Sequence, residues 1–359
     1  EKMKKIRIGV IGAGTIAEGG HFPNYQKNKD VELVAIADIN VERAQQMAEK
    51  FNVAKVYGDA EAMLKNETLD AVSVCTPNSS HIPLAKMAIN YGVDVLVEKP
   101  IGTSTTERDE LPAVAKVKPQ LCLVGLTQRH RNDSQVLRQF VEEEDLGEIY
   151  YTKAKILRRR GTPTGWFTDS EKSGGGPLMD IGVHALDLAW WIIGQPNPER
   201  VSGFLKKGLG NYQTKMQSRW QSSNPYNANN EVFDVEDFAS ALIRFDNGMV
   251  LSLEVSWALH GAQDDAMKVD IFGTKGGISL EPLVHYSENN GFVAESSLDI
   301  RKNDPMKSEI DHFVSSVQNR TTPLSSADQG ALVLKMLEGI KQSATENKEI
   351  SLHQTQPAK

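Results

Sequence analysis

The chain has 359 residues, 40% of them hydrophobic and 24% charged, which suits two globular domains and excludes a disordered or fibrous protein. A formal net charge of −7 argues against a nucleic-acid partner, which needs a basic face. No apolar run reaches a membrane span and no signal peptide opens the chain, so a cytoplasmic protein with no membrane partner is expected, with Glu1-Lys2 an extraneous remnant before a native start at Met3.

Up to about Gly125, short apolar runs alternate with helical patterns. Strands are expected at Ile6–Ile11, Glu32–Ala37, Ala71–Cys75, Asp94–Val97 and Leu121–Val124. Between them, Val41, Ala44, Met47, Ala48 and Phe51 recur at helical spacing behind Asn40, a capping residue. A second helix is expected over Ser80–Tyr91, capped by Ser79 or Ser80 and ended by Gly92. Such alternation means βαβ units and a parallel sheet. Cys75 and Cys122 each sit in an apolar run and read as inert core thiols, with no disulfide or zinc site.

Beyond Gln128 the texture changes. A glycine-rich stretch precedes one apolar helix, Leu178–Ile193, stopped by Gly194. Strand-like runs follow at Phe238–Phe245 and Met249–Trp257, joined by the hairpin signal Asp246-Asn247-Gly248. Further runs at Met267–Phe272 and Gly277–Leu280 and helices at Ser308–Val317 and Gly330–Ser343 complete an α+β unit. The fold expected is α/β: a Rossmann domain over residues 3–126, then a substrate-binding and oligomerisation α+β domain over 127–359 built on an open, mostly antiparallel sheet. Residues 206–231 read as a long loop, and the loops 128–131, 156–168 and 206–231 are expected to shape the pocket.

The run Ile8-Gly9-Val10-Ile11-Gly12-Ala13-Gly14-Thr15-Ile16-Ala17 takes a strand into G-x-G-x-x-A. Gly12 permits the tight turn, Gly14 lets backbone approach a pyrophosphate, and Ala17 keeps helix and strand close. The unpaired N–H groups opening the helix, around Thr15 and Ile16, would face the phosphates. Asp38 ends the second strand, where a carboxylate accepts ribose hydroxyls and repels a 2′-phosphate. NAD is therefore expected rather than NADP, with Arg43 near the adenine.

Two clusters carry candidate chemistry. Glu98-Lys99-Pro100 closes a strand at the ligand-binding edge of the sheet. Asp180, His184 and Asp187 fall on one face of the apolar helix, a stripe that is costly to bury without a polar cavity. No metal site is indicated.

Together with Thr76-Pro77-Asn78-Ser79-Ser80-His81, Gly174-Gly175-Gly176, Asp234-Val235-Glu236-Asp237 and Ile271-Phe272-Gly273-Thr274-Lys275-Gly276-Gly277, these motifs resemble the Gfo/Idh/MocA oxidoreductases across nearly the whole chain. The resemblance implies NAD-dependent oxidation or reduction at a carbon of a sugar, sugar derivative or inositol, in a homodimer or homotetramer. Lys99, Asp180 and His184 match the family's catalytic trio. Thr76, Asn78 and His81 match the stretch under ribose and nicotinamide, beside Glu98 and Lys99. A histidine suits proton transfer from a secondary alcohol, so His184 is assigned as base, Lys99 as donor to the reacting oxygen and Asp180 as the orienting carboxylate. Lys99 and His184 could exchange emphasis. Arg129, Arg158 and Trp166 are expected in the substrate wall, offering forked donors and an apolar face. An NAD-using glycosidase and a cofactor-sensing regulator are the rival readings.

Overall fold

The computed structural model describes residues 4–210, 232–262, 264 and 266–353. Six parallel strands, β1 (Ile6–Ile11), β2 (Val31–Ala37), β3 (Lys55–Tyr57), β4 (Ala71–Val74), β5 (Asp94–Glu98) and β6 (Cys122–Gly125), form a sheet in the order β3-β2-β1-β4-β5-β6. The helices α1 (Phe22–Lys27), α2 (Val41–Phe51), α3 (Ala60–Asn66), α4 (His81–Asn90) and α5 (Glu110–Val117) connect or flank its strands. The order reverses between β1 and β4, which opens a crevice at the carboxyl ends of those strands. This is the Rossmann sheet read from the sequence. Its short edge strand β3 was not.

The second half adds α6 (Asn132–Glu142), β7 (Ile149–Leu157), α7 (Ser170–Ser173), α8 (Val183–Ile192), β8 (Pro198–Lys206), β9 (Phe238–Phe245), β10 (Val250–Ser256), β11 (Lys268–Gly273), β12 (Gly277–Leu280), β13 (Val284–Asn289), β14 (Phe292–Ser297), α9 (Pro305–Asn319), α10 (Ala327–Glu346) and β15 (Ile350–Ser351). Its nine strands run β14-β13-β12-β11-β7-β10-β9-β8-β15. All neighbours pair antiparallel except β7 and β10, whose parallel contact makes the sheet mixed. The hairpin expected at Asp246-Asn247-Gly248 joins β9 to β10, with Gly248 at φ 87°.

One sheet face lies under α6, α8 and α10. Ala154, Ile156, Ile243, Leu251, Leu253 and Ile271 are buried on it. The alternating residues, among them Tyr151, Lys153, Leu242 and Phe272, stay partly or fully exposed on the other face. An antiparallel sheet open on one side requires that period of two.

A second core lies on the Rossmann sheet. Ile8, Val10 and Ile36 pack there with Phe22 and Tyr25 of α1, Met47 of α2, and Ile310, Phe313 and Val317 of α9. The late helix α9 thus covers the first sheet, so the two halves share a core as well as a crevice. Cys75 and Cys122 are free and buried, and burial pushes the Cys122 thiol up to about 12. No described helix is long and apolar enough to cross a membrane.

Some local expectations change. Ser80 sits at the start of α4 but its side chain does not cap it; its hydroxyl bonds with Thr76 Oγ1 and the Pro77 carbonyl instead. The expected Leu178–Ile193 helix begins as a wide π-helical turn, Leu178–Gly182, and becomes α only at Val183. Strands β7, β8, β13, β14 and β15 went unread because short or half-exposed strands lack a continuous apolar run. The long loop expected over 206–231 lies, from residue 211, outside the described residues.

Candidate active site

The glycine turn after β1 is tight for a visible reason. Gly12 has φ +99°, and a Cβ there would sit 2.5 Å from the Cys75 carbonyl, so only glycine fits. Ala13 N–H donates to Asp38 Oδ2 at 2.7 Å, and Asn40 N–H to Asp38 Oδ1 at 2.8 Å, which fixes this carboxylate at the rim of the turn. Asn40 caps α2 as expected by accepting from Arg43 N–H. Arg43 has its own work. Its Nε donates to the Ala13 carbonyl at 2.8 Å and its guanidinium pairs with Glu18, which also binds Lys50 at 2.8 Å. Gly14 and Thr15 lie between this turn and Ile16, which reaches the crevice.

The crevice widens into a cavity of about 460 Å³ between the two halves. From the Rossmann side Ile16, Thr76, Asn78, His81, Glu98 and Lys99 line it; from the second half come Arg158, Trp166, Asp180 and His184. The structure therefore gathers most of the residues singled out in the sequence around one space.

Their contacts separate them. Lys99 Nζ donates to the Asp180 main-chain carbonyl at 2.6 Å and lies 3.9 Å from the Asp180 carboxylate. The other carboxylate oxygen, Oδ2, accepts from Trp257 Nε1 at 3.0 Å. Trp257 is wholly buried at the end of β10, and the sequence showed it only as the end of a strand. His184 is enclosed, and its Nδ1 has no hydrogen-bond partner among the described residues. Burial, then the Lys99 and Arg158 charges, hold its pKa well below the usual histidine value, so the imidazole is neutral at physiological pH.

Asn78 Nδ2 donates to the Ser173 carbonyl at 2.9 Å, tying the crevice to the glycine-rich stretch. His81 spans the Pro100 and Thr76 carbonyls at 2.6 and 2.8 Å, which braces the turn carrying Lys99. The Lys99–Pro100 peptide is cis. Glu236 receives Gly176 N–H on both oxygens, at 2.9 and 2.6 Å. A Cβ on Gly176 would come within 2.0 Å of the Glu236 carbonyl, so that residue must be glycine for the turn bearing Asp180 to start where it does.

Two expectations need correction. Arg129 is not in the substrate wall. It is fully buried, with Nε and Nη2 on the two Asp187 oxygens at 3.0 and 2.7 Å and Nη1 on Gln329 Oε1 and the Leu324 carbonyl. Asp187 accordingly leaves the stripe with Asp180 and His184. His184 and Asp187 are three residues apart within the regular helix α8, and it is the buried Arg129 guanidinium that claims Asp187 while His184 faces the cavity. Arg158 and Trp166 do reach the cavity, and the Trp166 and Phe167 rings stack with centroids 4.1 Å apart.

Two family sequence models match the chain. One, for the oxidoreductase family with an NAD-binding Rossmann fold, covers residues 6–126; the other, for the GFO/IDH/MocA C-terminal domain, covers 134–279. The chain belongs to the Gfo/Idh/MocA family. A D-glucoside 3-dehydrogenase of Escherichia coli is 34% identical over 351 residues, 97% of each protein. A myo-inositol 2-dehydrogenase of Thermotoga maritima is 25% identical over 97% of this chain and 99% of its own. Among solved structures, an oxidoreductase domain protein from Kribbella flavida superposes with TM-score 0.83 at 20% identity, over 98% of this chain and 100% of its own. A levoglucosan dehydrogenase in complex with NADH and L-sorbose reaches 0.81 at 20% identity, over the same shares. As a Gfo/Idh/MocA protein, the chain carries an NAD-binding Rossmann domain. The Gly12 cradle and the polar lining from Thr76 to Lys99 are chemically suited to that cofactor.

Proposed function

We propose that this protein oxidises a secondary ring alcohol of a sugar, sugar derivative or cyclitol, and that glycosides of glucose are the first substrates to test. The observation that carries this reading is the convergence of a neutral enclosed imidazole, an ammonium and a carboxylate on one cavity. The resemblance to a D-glucoside 3-dehydrogenase over the full length supports the substrate class.

NAD, when bound, supplies the hydride acceptor. The residues do the rest. His184 takes the hydroxyl proton, for which its imidazole is already unprotonated. Lys99 donates to the same oxygen as negative charge builds there. Asp180, held by Trp257, keeps Oδ1 for a neighbouring hydroxyl. Trp166 and Phe167 offer an apolar wall for a pyranose face, and Arg158 offers donors above it. Asp38 and the Glu18-bound Arg43 favour NAD over NADP. A homodimer or homotetramer, joined over the uncovered face of the nine-stranded sheet, belongs to the same reading.

The test is NADH formation across a panel of glucosides, free sugars, sugar acids and inositols. The wild type is expected to reduce NAD with at least one of them. His184→Ala should lose 10²–10⁴-fold in kcat while binding NADH as before. Hydrolysed glycoside without net NADH, or no turnover anywhere on the panel, replaces this reading.

A further inference from the structure

Behind the cavity wall lies a buried polar cluster to which the chemistry above gives no task. His21, wholly buried at the end of the Ala17–His21 turn, contacts Glu98 Oε1 through Nε2 at 2.7 Å. Its Nδ1 meets Ser73 Oγ of β4 at 2.8 Å, and Ser73 Oγ meets the Tyr25 hydroxyl of α1 at 2.5 Å. Glu309 reaches the cluster from α9 with no exposed surface. Four separately coded segments thus send polar groups to one point.

The charges are sorted. Burial works against the Glu98 carboxylate, but the His21 hydrogen bond and the His21 and Lys99 charges hold its pKa below the usual value. Burial, followed by the nearby Glu98 charge, pushes Glu309 well above the ordinary range. The two carboxyls are thus driven apart, Glu98 toward its ionised form and Glu309 toward its protonated one. Because a carboxylate only accepts, His21 Nε2–H is the donor whichever way the Ser73 hydroxyl points.

A buried polar pair of this kind is weak evidence for stability, since apolar residues of similar volume hold a core as well or better. Besides lining the cavity through Glu98, the cluster makes a specific contact with Lys99. Glu98 Oε2 accepts the Lys99 N–H at 3.2 Å, and Gly125 makes room for that carboxylate, since a Cβ there would lie only 3.2 Å from Oε2. We propose that His21 and Glu98 are positioning residues for Lys99: His21 fixes the Glu98 carboxylate, which fixes the Lys99 main chain so that the ammonium meets the reacting oxygen. This rests on the dehydrogenase reading above and adds His21, which no motif marked, to the site.

The experiment compares His21→Leu with His21→Gln in the full chain. Two readouts are used, one independent of substrate. In kinetics, His21→Leu should lower kcat on the order of 10–100-fold, the cost of a small misplacement of a reacting group. It should raise the deuterium isotope effect on hydride transfer and leave KM for NAD within about threefold. In competitive acetylation read by mass spectrometry, Lys99 should label several-fold faster in His21→Leu as its ammonium leaves the Asp180 carbonyl. His21→Gln, whose amide N–H still reaches Glu98, should restore most of the wild-type value in both. Loss of folded protein alone would lower kcat with an unchanged isotope effect. That result, or His21→Gln as impaired as His21→Leu, or wild-type labelling of Lys99 in His21→Leu, overturns the proposal. If no substrate is turned over, the labelling arm still decides it, so its failure and that of the proposed function are separable.

Discussion

Lys99 is fastened to Asp180 through that residue's main chain and not through its carboxylate: the ammonium donates to the carbonyl at 2.6 Å, with the nearer carboxylate oxygen 3.9 Å away. The carboxylate is thereby released for another partner, and Trp257 steadies it from the opposite side. Asp180→Asn should leave Lys99 in place, raise KM for the alcohol and lower kcat/KM on the order of 10–100-fold, with NADH affinity unchanged. Trp257→Phe should act through the same carboxylate by removing a hydrogen bond to a charged group, costing about 1.5–3 kcal/mol. Steady-state kinetics with NADH titrations check both.

Cofactor choice should depend on a pair of acids. Asp38 is pinned by the Ala13 and Asn40 amides, and Glu18 occupies the guanidinium of Arg43. Wild type should prefer NAD over NADP by several kcal/mol of like-charge repulsion. Asp38→Ser should narrow that gap, and Asp38→Ser with Glu18→Gln should narrow it further by freeing Arg43 for a 2′-phosphate. The ratio of kcat/KM for the two cofactors measures it. An unchanged ratio in the double variant would remove Glu18 from the account.

The Arg129–Asp187 pair should matter for folding and not for catalysis. Both oxygens of Asp187 are bound and neither side chain reaches solvent. Arg129→Met would strand a buried carboxylate and should cost about 3–5 kcal/mol, whereas Arg129→Met with Asp187→Leu should recover much of it. Chemical denaturation gives the energies. KM of the folded fraction should stay at its wild-type value.

Stability should also fall as pH rises toward neutrality because of Glu236. Burial pushes this carboxyl up to about 7, against the favourable Gly176 amide and the Lys341 and Lys207 charges. Its folded value stands above the unfolded carboxylate value near 4.5, so its contribution is complete below that lower value and is lost as pH climbs through about 7. Over that window the loss should be on the order of 1–3 kcal/mol. Glu236→Gln, which keeps an oxygen for Gly176 N–H, should flatten that part of the Tm-against-pH curve.

The sequence made the Rossmann sheet legible because its strands are continuous apolar runs and its glycine turn is a local requirement. That Lys99, Asp180 and His184 would meet at one cavity was legible because they stand in motifs with fixed spacing. What escaped were pairings made at long range. Arg129 looks the same in sequence whether it faces a sugar or a carboxylate 58 positions away. The helical stripe 180-184-187 failed at its last member because Asp187 is paired with Arg129, a partner 58 positions away in the sequence. Trp257 reads as a strand end until Asp180 is beside it, and His21 reads as a helix residue until Glu98, 77 positions on, is found against it.

The packing of α9 against β1 and α1 also bears on the order in which the protein can be made. By the time a ribosome has released the whole six-stranded sheet, the segment that seals one of its faces is still some 180 residues from synthesis, counting from the end of β6 at Gly125 to Pro305. Until then Ile8, Val10, Phe22 and Tyr25 lack the cover of Ile310 and Phe313, and the cluster around Glu98 lacks Glu309. The nucleotide-binding half is the first to be translated and among the last to be finished. The core beneath the glycine turn is in that sense closed only when the chain's final sixth has folded back onto its first.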